Sequence, residues 1–196
     1  MLEMKNVEKS FSGKAVLRGA TLASSGETVA LMGESGSGKT TVLRILASLE
    51  KADAGETNVT GKTAVVFAEP RLFENKTVLE NITCVMDGKK AENERRAREL
   101  LLCVGLDGTE TKHAGELSSG MAARVSICRA LAANADNYLF DEPFKALDEG
   151  SRENVMIFLK KELDGKSAVL ITHDKNDADF LCSKTHHLGN GTITLS

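Results

Sequence analysis

A chain of 196 residues, 41% of them hydrophobic, can bury one good core, or one core with a small subdomain. Its formal net charge of −3 offers no global basic field, so nucleic acid is not an expected partner. The four cysteines, Cys84, Cys103, Cys128 and Cys182, form no C-x-x-C pair, which argues against zinc or a disulfide framework and for reduced thiols.

No apolar run reaches the roughly 18 residues of a membrane span, and the opening MLEMKN has no apolar signal region. A soluble, intracellular chain is expected, with any membrane role supplied by a partner. In chain order, residues 2–9 and 15–24 read as strands around the turn Ser12-Gly13-Lys14. Phe11 precedes that turn, and both core packing and stacking on a nucleotide base are open to it.

Residues 27–32 form an apolar, β-leaning run, followed by GESGSGKTT at 33–41. That stretch fits G-x-x-x-x-G-K-[ST], the phosphate-cradling loop, through Gly33, Gly38, Lys39 and Thr40. Gly33, Gly36 and Gly38 let the backbone turn tightly, so that N–H groups can point at phosphate oxygens. Glu34, Ser35, Ser37 and Thr41 complete the loop, whose pattern predicts that Lys39 reaches the β- and γ-phosphates and that Thr40 ligates Mg²⁺. Val42, Ile45, Leu46 and Leu49 recur as on one buried helix face. Strand, glycine loop and helix set a helix N-terminus against an anion, so a nucleoside triphosphate is the expected ligand.

Past a break at Asp53-Ala-Gly55, short strands are expected near 56–60 and 63–67, then a loop with Pro70 and a helix over 77–86. Residues 91–104 are strongly helical. Glu92/Arg96, Glu94/Arg98 and Arg95/Glu99 stand at i, i+4 as a solvated face, with Leu100, Leu101, Leu102 and Leu106 on the buried side. With no convincing strand between about 77 and 133, that span reads as a helical insertion in an α/β domain covering 1–196. Within it, ELSSGM at 116–121 leads into a helix. Ser and Gly there fit an N-cap, and the same geometry would serve an anion.

Asn137-Tyr-Leu-Phe-Asp-Glu142 is an apolar strand delivering two carboxylates at its end, where open α/β sheets bind ligands. Asp141 suits the Mg²⁺ shell, and Glu142 would point differently and polarise water. A helix marked by Val155, Phe158, Leu159 and Leu163 follows, then a buried strand at 168–172 ending at His173, which could hydrogen-bond a γ-phosphate. His113, His186 and His187 are read as surface residues. A helix at 174–183 and a hairpin around Asn190-Gly191 close the chain, and no C-terminal regulatory domain is expected.

The ordered set GESGSGKTT, ELSSGMAARVSICRAL, YLFDEPFKALD and ITHD resembles the ATP-binding subunits of ABC transporters over nearly the whole chain. The resemblance implies a P-loop NTPase fold: a mixed-sheet α/β core, an N-terminal antiparallel β subdomain and a small helical subdomain. It also implies ATP and Mg²⁺ sandwiched between two copies, or two paired ATPase chains, with the phosphate loop of one facing the LSGGQ-like segment of the other. On that carry-over Phe11 stacks on adenine, Ser118 and Gly120 meet the γ-phosphate across the dimer, and Ser119 between them belongs to the same nucleotide-binding segment. Asp141 holds Mg²⁺, Glu142 is the base, Ala146, Leu147 and Asp148 form the loop that meets the other copy, and His173 is the switch histidine. FAEPRLFENKTVLENI and DEPFKALD most resemble the nitrate, sulfonate and taurine importers. The implied partners are a transmembrane permease and, for an importer, a substrate-binding protein, with the chain peripheral at the inner face of the cell membrane.

Three departures from the family pattern stand out. Ala68 stands where such proteins carry Gln, and Glu69 beside it should point away if the strand pleat continues. Ser119 replaces a glycine, and Glu74-Asn75 replaces Pro-Trp. An ATP-gated clamp with weak hydrolysis, or a non-transport cassette, is therefore weighed beside the transport ATPase. A small-molecule kinase leaves the LSSGM segment without a reason.

Overall fold

The computed structural model describes residues 1–195. Its strands and helices follow the periodicities of the sequence, with shifts at their ends. β1 (Leu2–Phe11) and β2 (Lys14–Ser24) form an antiparallel hairpin, and β4 (Ala54–Val59) pairs with the other edge of β1. Alternation of buried and exposed residues along β1 turns Leu2, Met4 and Val7 inward. A register shift between Met4 and Val7, with Asn6 at φ 49°, keeps Val7 on that face.

The larger sheet runs β5-β6-β7-β3-β8-β9. It contains β3 (Thr28–Met32), β5 (Thr63–Val66), β6 (Asn137–Asp141), β7 (Ser167–Ile171), β8 (Lys184–Gly189) and β9 (Thr192–Leu195). β6, β7, β3 and β8 are parallel neighbours, and β9 returns antiparallel on β8, so the sheet is mixed. Every residue of β6 and β7 is buried, as expected for central parallel strands.

α1 (Lys39–Leu46) buries Val42, Leu43, Ile45 and Leu46. It stops three residues before Leu49, which is 53% exposed and not part of the buried face the spacing suggested. The cause is local: Ser48 turns to φ 57°, and Leu49 and Glu50 return their N–H groups to Arg44 O.

Chain contacts divide the molecule into two compact units. The first comprises Met1–Val65, Asp136–Glu142 and the residues from Leu163 onward; the second comprises Val66–Ala135 and Pro143–Glu162. The second holds α2 (Val78–Thr83), α3 (Lys90–Cys103), α4 (Ser119–Ala132) and α5 (Glu149–Glu162), with a short 3-10 turn at Ala114–Glu116. α2 is started by a capping box, in which Thr77 Oγ1 accepts from Glu80 N and Glu80 accepts from Thr77 N. Among the charges of α3, Glu94 pairs with Arg98 at 3.8 Å as expected, whereas Arg96 turns to Glu162 of α5 at 2.8 Å instead of to Glu92. The leucines of α3 need correction too. Leu100 and Leu101 are fully buried, but Leu102 is 64% exposed, because three consecutive helical residues sweep too wide an arc to share one face.

The first unit ends with α6 (Lys175–Leu181) and the β8–β9 hairpin. No helix among the described residues is long and apolar enough to cross a membrane.

Candidate active site

Three parallel neighbours, β6, β7 and β3, set the site. Their register puts Asp141 beside Ile171 and Ile171 beside Leu31, so all three strands end at one level. The residues leaving that edge are Glu142 after β6, Thr172 and His173 after β7, and the loop from Gly33 after β3. Adjacent strands lie about 4.8 Å apart, so groups far apart in sequence become neighbours there.

The loop is shaped by its glycines. Gly33, Gly36 and Gly38 have φ of 147°, 78° and 109°, a range that L side chains rarely enter. At Gly38, the N-cap of α1, an added Cβ would also come within 2.7 Å of Val16 Cγ1. Lys39 is buried, and its ammonium donates to Gly33 O and Glu34 O, both at 2.8 Å, which folds the side chain across the loop. Burial pulls the Lys39 pKa down, against the opposing pull of Glu142 and then Asp141. Ser37 Oγ is buried with no hydrogen-bond partner among the described residues, a donor that an anionic oxygen would satisfy. Glu34, Ser35 and Gly36 are exposed at the rim, and Thr41 is half-buried on α1.

Thr40 Oγ1 donates to Asp141 Oδ2 at 2.9 Å. Two hard oxygen ligands are thereby paired beside the cradle, which fits Mg²⁺: that ion takes one or two protein oxygens and completes its shell with phosphate and water. Glu142 adopts φ 48° while its N–H continues the ladder to Ile171 O at 3.0 Å. This left-handed turn re-aims its side chain away from the Asp141 direction, as adjacency in sequence suggested. Glu142 Oε1 lies 3.1 Å from His173 Nε2. The two residues expected to act on water and on the γ-phosphate are therefore in contact.

Phe11 is 43% exposed, which excludes the core reading. The Lys9 ammonium lies 5.1 Å from its ring centroid and is itself fastened to Glu50 at 2.8 Å and Asp53 at 3.1 Å. An open cleft of about 1020 Å³ runs from Gly33–Ser37 along Lys14, Ala15 and Val16 to the Asn190-Gly191 turn. Its volume lies at the upper end of small-molecule and cofactor sites, which run to about 1,000 Å³.

The remaining predicted residues lie in the second unit. Ser118 is the N-cap of α4, its hydroxyl accepting from Met121 N at 3.2 Å. Ser119 is exposed, and a Cβ on Gly120 would meet Ala146 O at 2.8 Å, so the LSSGM segment rests against the Ala146–Asp148 turn. Asp148 is exposed, and its Oδ1 accepts from Ser151 N at 2.9 Å; that bond holds its pKa below the usual carboxylate value. Ala68 and Glu69 are exposed beyond the end of β5, so the pleat that was to turn Glu69 away does not reach it. Arg71 at φ 47° stacks its guanidinium on Phe67 at 4.1 Å.

One of the histidines departs from expectation. His113 and His187 are exposed, but His186 on β8 is half-buried, and its Nε2 is enclosed with no hydrogen-bond partner among the described residues. Sequence reasoning also passed over Thr172, Asp177 and Lys9. The available signal was Thr172-His-Asp174 followed by a second acid at Asp177, the third residue of the helix.

A glycine cradle closing on a helix N-terminus, a Thr–Asp oxygen pair and a Glu–His pair at one sheet edge define a P-loop nucleoside triphosphatase. Comparison with protein families matches residues 20–145 to the family described as ABC transporter. The chain is 40% identical over 199 residues to the aliphatic sulfonates import ATP-binding protein SsuB of Corynebacterium glutamicum, covering 98% of this chain and 82% of that one. It is 37% identical to the L-cystine transport system ATP-binding protein TcyN of Escherichia coli, over 98% of this chain and 88% of the relative. Among solved structures, the cassette MJ0796 in a dimeric post-hydrolysis state with ADP and Pi superposes with TM-score 0.92 at 32% identity, covering 100% of this chain and 98% of that one. The chain belongs to the ABC transporter family, as an ATP-binding subunit that hydrolyses ATP.

Proposed function

We propose that this chain is the motor of an importer of the nitrate, sulfonate and taurine group, acting as a Mg²⁺-ATP-dependent dimer on a separate transmembrane permease. The sulfonate relatives support the direction and the group. On this reading residues 1–196 form one ATP-binding domain with a helical insertion over about 77–133. The protein sits at the inner face of the cell membrane, and a substrate-binding protein selects the cargo.

In the proposed site Lys39 and the 33–38 backbone hold the phosphates, Phe11 takes the adenine, and Thr40 and Asp141 hold Mg²⁺, which supplies charge neutralisation at the phosphates when bound. Glu142 orients and deprotonates the attacking water, and His173 donates to the γ-phosphate. Ser118, Ser119, Gly120 and Asp148 act on the nucleotide held by the other copy. The observation that carries this is the 3.1 Å approach of His173 Nε2 to Glu142 Oε1 at the edge where the phosphate loop begins.

Replacing Glu142 by Gln removes the base and keeps the shape. Hydrolysis is expected to fall about 10²–10⁴-fold, with ATP binding retained and a dimer appearing in sedimentation at saturating Mg-ATP. Hydrolysis at the parent rate would remove Glu142 from its role. A second reading, a nucleotide-gated clamp with slow turnover, is favoured by one feature, the bare methyl of Ala68 where Gln would offer a ligand.

A further inference from the structure

We infer that Thr172 and Asp177 form a buried latch that aims His173, making both positioning residues for hydrolysis. The inference rests on the role proposed above for His173. Thr172 is 2% exposed and Asp177 3% exposed, and Thr172 Oγ1 donates to Asp177 Oδ2 at 3.0 Å in a fully buried bond. The same hydroxyl accepts from Asp174 N at 3.1 Å. A threonine hydroxyl carries one proton, so with its oxygen serving Asp174 N–H that proton goes to the Asp177 carboxyl oxygen, which accepts it.

The latch grips the backbone on both sides of His173. Thr172 follows directly on Ile171, which is held in the ladder between Leu31 and Asp141. Asp174 is the N-cap of α6, its Oδ1 accepting from Asn176 N at 2.8 Å. In an ordinary capping box, the acid at the third helical position returns to the N–H of the cap residue. Here Asp177 occupies that position but turns to Thr172, and Thr172 takes the cap N–H in its place. The detour satisfies the cap N–H as a capping box would, and in addition it ties the residue before His173 to the first turn of α6. The His173 side chain is 53% exposed, so its aim at Glu142 depends on its backbone, and the detour fixes that backbone.

The test compares kcat and KM for ATP in Thr172→Val, Thr172→Ser and Asp177→Leu, alone and with His173→Ala. The nucleotide-free parent and each Thr172 variant are also observed by NMR at the His173 ring protons. Misplacement of a catalytic group by about 1 Å costs on the order of 10²-fold, so Thr172→Val and Asp177→Leu are expected to lower kcat about 10–100-fold with KM unmoved. Thr172→Ser should restore the rate, and neither loss should persist once His173 is already Ala. The His173 signals should shift or broaden in Thr172→Val while those of His113 stay. An unmoved His173 resonance, or an equal kcat loss with and without His173, overturns the latch. Hydrolysis indifferent to His173→Ala is instead the mark of failure for the catalytic reading, and it removes this inference along with it.

Discussion

His186 shows how one strand position can acquire a pH dependence. Burial lowers its pKa below the ordinary value of 6.5, Lys184 lowers it further, and Glu27 pulls the other way. Glu27 itself is held down by Lys184 at 2.8 Å and by the Ser183 hydroxyl. A histidine whose folded pKa is depressed resists protonation only in the folded state. Its cost is absent above the unfolded pKa and grows as pH falls from about 6.5 toward the folded value. The melting temperature is thus expected to drop between pH 7.5 and 5.5, and His186→Gln should flatten that slope. An identical slope in the variant would place the dependence elsewhere. The thiols divide in the same way: burial pushes Cys128 and Cys182 up, the latter to about 12, so Cys84 and Cys103, both exposed, should react first with a thiol reagent.

Among the elements, α3 offers the sharpest contrast, because two of its leucines, two positions apart, have opposite surroundings. Leu100 is fully buried and Leu102 is 64% exposed. Leu100→Ala is expected to cost about 2–5 kcal/mol in denaturant unfolding, against less than about 0.5 kcal/mol for Leu102→Ala. Equal shifts in midpoint would mean that the helix is rotated from the orientation described. The same element shows what spacing alone can and cannot settle. Its charge pattern announced a helix, but Arg96 found Glu162, distant in sequence, at 2.8 Å, while its i, i+3 contact with Glu99 is a loose 3.8 Å. α1 teaches a similar lesson: its periodicity continued to Leu49, yet backbone bonds to Arg44 O ended the helix first.

At the scale of the whole molecule, the proposed cycle depends on a second copy supplying the LSSGM segment, and two substitutions from the family pattern bear on its speed. Against the family pattern that its motifs resemble, Ser119 adds a side chain in place of a glycine, and Ala68 removes a polar one. Ser119→Gly and Ala68→Gln are expected to raise ATP turnover several-fold if they restrain it, singly or together, without changing nucleotide affinity by a similar factor. Turnover unchanged in the double variant would show that the chain tolerates both, and it would leave the clamp reading without support.

The amino-acid sequence by itself determined the phosphate loop, the Asp141-Glu142 pair, the order of elements and the family resemblance. These are local: a glycine loop, an apolar strand or an amphipathic helix is written in consecutive residues whose backbone preferences act over a few positions. Only the tertiary structure decided which of them meet. The level ends of β6, β7 and β3 bring His173 to Glu142 and Thr40 to Asp141, and exposure decides that Phe11 is available and Leu102 unburied. For Thr172 and Asp177 the sequence carried only the bare spacing of a threonine and two acids around His173, and the bond between them is visible in the structure alone, because a side-chain hydrogen bond leaves no periodicity in the chain. Strand register and packing join residues by distance in space, and spacing along the chain does not encode that distance.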